Sequence, residues 1–119
     1  MSTTLVAFRL ATRLDLPGAT ALGRRVAFEV HLDQLMEALL AQEQADPLVT
    51  DPDVSANLET GAVEIHCYVA LPFDQVVARA DSFIRTAIHT AGGHTPDWGD
   101  DAGPDGLEYR HESSELVRT

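Results

Sequence analysis

The chain contains no lysine. All eight of its basic residues are arginine, set against nineteen acidic residues, for a formal net charge of −11. So acidic a surface repels phosphate backbones and anionic lipid, which argues against nucleic-acid and membrane-surface binding. Arg9, Arg13, Arg24 and Arg25 alone lend the first quarter a mildly basic character. Arginine without lysine, with alanine abundant, fits a high-GC bacterial coding sequence, a fact of genome composition and not of mechanism. Cysteine is equally scarce: the single Cys67 cannot close an internal disulfide, and its place among apolar alternating positions suits a buried, inert thiol. Long apolar runs are missing too, none approaching the ~20 residues of a membrane span. Met1-Ser2-Thr3-Thr4-Leu5 has neither the basic start nor the apolar stretch of a signal peptide. These absences lead us to expect a soluble, cytoplasmic protein whose 119 residues form one domain.

What is present centres on residues 54–93. Val54, Ala56 and Leu58 alternate with polar neighbours, as do Val63, Ile65, Cys67, Val69 and Leu71, the period-two pattern of half-buried strands. Thr60-Gly61 between them predicts a tight hairpin turn with Leu58 opposite Val63. Pro72 ends the second strand. Asp74 stands at an N-cap position before Val76, Val77, Ala80, Phe83, Ile84, Ala87, Ile88 and Ala91, one continuous helical stripe. Asp81 and Arg85 form an i,i+4 pair on the other side, and Gly92-Gly93 supply a left-handed stop.

Residues 3–20 fit two patterns. Val6, Phe8, Leu10, Thr12, Leu14 and Leu16 alternate as a half-buried strand, while Val6, Leu10 and Leu14 also suit a short helix. The alternation favours a strand, either an extra one at the sheet edge or an extension that pairs with another copy. Val26, Phe28 and Val30 alternate next, so residues 24–31 read as the first strand of the core, with Asp33 capping a helix that ends at Asp46-Pro47. Residues 94–106 are rich in acids and turn formers and read as a flexible linker that contains Trp98. A last edge strand at 107–112 and a frayed tail to 119 complete the chain.

The order is therefore β(24–31) α(33–45) β(53–59) β(62–71) α(74–91) β(107–112), with 1–23 as an N-terminal extension and 24–93 as the core. It describes an α+β ferredoxin-like split βαβ sandwich, an antiparallel sheet with two helices on one face. The run from Asp51-Pro52-Asp53 to Glu64-Ile65, and Ile84-Arg85-Thr86-Ala87-Ile88-His89-Thr90-Ala91-Gly92-Gly93 through Pro96 and Trp98, resembles a group of short actinobacterial proteins. The resemblance spans about residues 24–98. It implies this fold and, since no activity is assigned to that group, no chemistry.

In such a fold the sheet face turned from the helices carries the candidate binding residues: Glu29, His31, Asn57, Glu64, His66 and Tyr68. A solvated antiparallel sheet face is common. Tyr68, expected beside Ala27 and Ala70, nevertheless makes a contact patch for a second copy or a partner protein, because aromatics are enriched at interfaces. Glu29, His31, Glu64 and His66 are a workable zinc or nickel set by residue type, but no H-E-x-x-H or C-x-x-C spacing forces them together. His89 at a helix C-terminus suits capping. Asp97, Asp100, Asp101 and Asp105 lack the calcium-loop pattern, and no phosphate loop or nucleophile elbow occurs. The expectation is a non-enzymatic module without cofactor or catalytic residues that self-associates or docks a protein. The alternative is a metal- or small-molecule-binding protein, an enzyme included, using Glu29, His31, His66 and Tyr68.

Overall fold

The computed structural model describes residues 5–16, 20–93 and 108–118. The expected linker at 94–106, with Trp98 and its four aspartates, lies outside them. The elements run β1 (Val6–Asp15), α1 (Ala21–Ala45), β2 (Val49–Asn57), β3 (Ala62–Val69), α2 (Phe73–Thr90) and β4 (Glu108–Arg118). The four strands form one sheet in the order β2-β3-β1-β4, every neighbouring pair antiparallel. This is the ferredoxin-like α+β fold, built on a different first strand from the one the alternation at 24–31 suggested.

Residues 6–15 are not an extension but one of the two central strands. Val6, Phe8, Leu10, Thr12 and Leu14 are all buried, and β1 pairs with β3 on one side and β4 on the other. The polar member of that row, Thr12, is satisfied by donating from Oγ1 to the Val63 carbonyl at 2.9 Å.

Residues 24–31 are helix. Thr20 caps α1 by accepting from the Gly23 N–H at 3.0 Å, and the helix continues through Asp33 without a break. No glycine or proline stands between Arg24 and Ala45 to interrupt it. The alternation of Val26, Phe28 and Val30 has another cause. Phe28 begins the inward stripe Phe28, His31, Leu35, Ala38, Leu39, whereas Val26 and Val30 point outward and are each 54 % exposed. An apolar residue on each side of a helix mimics the period of a strand.

The hairpin forms with a longer turn than expected. Asn57 pairs with Ala62 and Ala56 with Val63, so Leu58–Gly61 make the loop. The shift from the anticipated register is two residues, which keeps every side chain on its intended face. The Asn57 side chain braces the loop by accepting from the Glu59 and Thr60 N–H groups. Gly61 adopts φ 80°, and its carbonyl accepts from Leu14 N–H at 2.7 Å.

Helix α2 buries Val76, Ala80, Phe83, Ile84, Ala87 and Ile88, much as its periodicity indicated. Asp74 lies in the first turn, but no side chain caps that end. The C-terminus closes as a Schellman motif: Gly92, at φ 86°, donates to the His89 carbonyl, and Gly93 donates to that of Ile88. Strand β4 extends to Arg118, past the expected end at 112, with a bulge opposite the Ala11–Thr12 step. The core is one apolar cluster between the sheet and the two helices.

Candidate functional site

No described element covers the sheet face away from the core, and the registers define its rows. Asp53, His66, Arg9 and Glu115 lie side by side across β2, β3, β1 and β4; the next row holds Ser55, Glu64, Ala11 and Ser113. Loose ion pairs bridge neighbours, Arg9–Glu115 at 3.9 Å and Arg13–Glu112 at 3.6 Å, and His66 Nε2 lies 3.5 Å from Glu64 Oε2. His66 Nε2 is shielded from solvent and has no hydrogen-bond partner among the described residues. Tyr68 is 36 % exposed and sits across from Ala7. A small neighbour accompanies the ring as expected, but it comes from β1 and not from residue 27.

Of the six candidate residues, Glu64, His66 and Tyr68 occupy this face, and Asn57 lies at its hairpin end. Glu29 and His31 do not join them. Both are on α1, on the far side of the sheet, so the anticipated cluster of Glu29, His31, Glu64 and His66 never assembles. Glu29 is exposed and sits 3.8 Å from Arg25, one turn earlier. No group of three or more potential metal ligands occurs among the described residues. Arg9 and Arg13 take the face positions assigned to Glu29 and His31. The signal that finds them is the 6–15 alternation, once it is read as a central strand.

His31 is instead a buried structural group, only 2 % exposed. Its Nδ1 lies 2.9 Å from the Ala91 carbonyl and its Nε2 2.9 Å from the Tyr109 hydroxyl. A carbonyl only accepts, so Nδ1 carries the proton and Nε2 accepts from the tyrosine O–H. The arrangement ties α1 to the end of α2 and to β4. Burial pulls the His31 pKa below its ordinary value, partly offset by the Ala91 carbonyl. Burial likewise pushes the Tyr109 hydroxyl up, and the Cys67 thiol up to about 12, so neither ionises near neutral pH. The thiol is as inert as its position implied.

The two outer edges of the sheet differ. On β2 the ladder breaks between Thr50 and Asp53, where Asp51 adopts φ 52° and Pro52 lacks an N–H. Strand β4 spans eleven residues, with a single bulge and no described strand on its outer side.

Neither family models, nor curated proteins, nor solved structures match this chain. The class is therefore set by architecture alone: a ferredoxin-like α+β domain with one sheet face that no described element covers, in which none of the described helices is long and apolar enough to cross a membrane.

Proposed function

We propose that this domain is a non-enzymatic association module that joins a second copy of itself, or a partner protein, along the β4 edge and the adjoining open face. The carrying observation is the contrast between edges. β2 is guarded by proline, a left-handed aspartate and a broken ladder, devices that block strand addition. Along β4 no described strand pairs with the outer row of backbone groups. Antiparallel pairing of two β4 strands about a two-fold axis satisfies that row and makes one continuous sheet. Tyr68 and the charged rows then lie on a surface twice as broad. Dispersal of Glu29, His31, Glu64 and His66 removes the geometric basis of the metal-binding alternative.

Light scattering coupled to size-exclusion chromatography tests the reading, and two copies of charge −11 should associate more strongly as salt screens their repulsion. Successive N–H groups along a strand point to alternate sides, so one of Ser113 and Ser114 donates toward β1 and the other toward the open edge. Proline at the outward one should yield a folded monomer. A wild-type protein that stays monomeric at high concentration, and captures no protein partner, overturns the proposal.

A further inference from the structure

We infer that the recess where α1 begins, at the hairpin end of the sheet, binds a phosphate-type oxyanion. Arg13 from β1, Arg24 from the first turn of α1 and Arg110 from β4 all line this cavity of about 350 Å³. A chain with only eight basic residues among nineteen acids thus commits three of them to one spot.

Arg13 and Arg110 are direct cross-strand partners. Like charges in that position destabilise a sheet, so the placement is a local conflict that the fold alone does not require. Conflicts of this kind mark binding sites. Arg24 has no acidic partner among the described residues, and the first turn of α1 contains no acid to offset the positive end of the helix dipole. Thr60 and Gly61 form another wall. There the chain is held close, since a Cβ on Gly61 would lie 2.5 Å from the Leu14 carbonyl oxygen.

Acids stand beside two of the three arginines. Arg13 donates from Nη1 to the Thr60 carbonyl at 3.0 Å while its Nε lies 3.6 Å from Glu112. Arg110 meets Glu108 at 3.1 Å, and Asp15, which also lines the recess, accepts from the Leu16 N–H. Exposed ion pairs of this sort are worth little, so a dianion that engages several guanidinium forks at once competes with them readily.

The test is a titration with inorganic phosphate against chloride at matched ionic strength, followed by the amide resonances of Thr60 and Gly61. The wild type should show saturable shifts at both. Arg24→Gln should fold normally and bind about tenfold more weakly or worse, as loss of a charge-assisted contact implies. Arg25→Gln carries the same change in net charge, but Arg25 lies outside the recess, so it should bind as the wild type does. Absence of saturable shifts in the wild type, or equal weakening in the two variants, overturns the inference.

Discussion

Replacing Tyr109 by phenylalanine isolates a single oxygen at the junction of three elements. The ring stays in the core, where Tyr109 is fully buried, and only the donor to His31 Nε2 is lost. A buried acceptor left without its donor costs about 1–3 kcal/mol, a substantial share of the roughly 5–15 kcal/mol that holds a small domain together. Urea unfolding should therefore show a lower midpoint with an unchanged slope. The double variant His31→Leu/Tyr109→Phe removes both partners, and its loss should fall short of the summed single losses by about 0.5–3 kcal/mol, the range for groups in contact. The same pair fixes a pH response. Because burial lowers the His31 pKa from 6.5, the unfolded chain binds the extra proton more readily than the folded one. The His31 contribution is complete above that value and erodes as pH falls from it toward the folded pKa. In the His31→Leu variant this share of the acid sensitivity should vanish. A Tyr109→Phe protein within about 0.3 kcal/mol of wild type, with no coupling in the cycle, would show that the hydrogen bond does not hold the junction.

Two further outcomes follow from particular residues. Gly61→Ala should destabilise by more than about 1 kcal/mol, because the position combines φ 80° with a Cβ 2.5 Å from the Leu14 carbonyl oxygen; equal thermal midpoints for the two proteins would contradict it. Cys67, buried and with its thiol pushed up to about 12, should resist an aromatic disulfide reagent at pH 8 until denaturant is added; stoichiometric labelling of the native protein would refute its placement.

The hairpin and α2 were legible because their patterns agree at every level. Alternation, turn glycine, helical stripe and glycine stop all specify one local structure. Residues 6–15 were legible as a strand but not as a central one, since alternation reports one buried face and says nothing of how many neighbours pair with it. The first half of α1 misled for a physical reason. Leu22, Val26 and Val30 form an outward stripe, 74 %, 54 % and 54 % exposed, opposite the inward Phe28 and His31. With apolar side chains on both sides, the helix loses the amphipathic contrast by which sequence periodicity finds one. Thr20 with the Gly23 N–H, and the absence of any breaker before Asp46, were the remaining clues. The misplacement carried Glu29 and His31 onto the wrong surface and hid Arg9 and Arg13 from the right one.

By itself the amino-acid order determined the element types around the hairpin, the stripe and stop of α2, the inert thiol and the acidic surface. Those depend on neighbours within a few residues or on simple counts. Only the tertiary structure decided that residues 6–15 form a central strand, that His31 serves Tyr109 and Ala91 in the interior, and that Arg13, Arg24 and Arg110 line one recess. These juxtapositions join residues dozens of positions apart, and only the completed sheet, with its helices packed on one side, brings them within reach of each other.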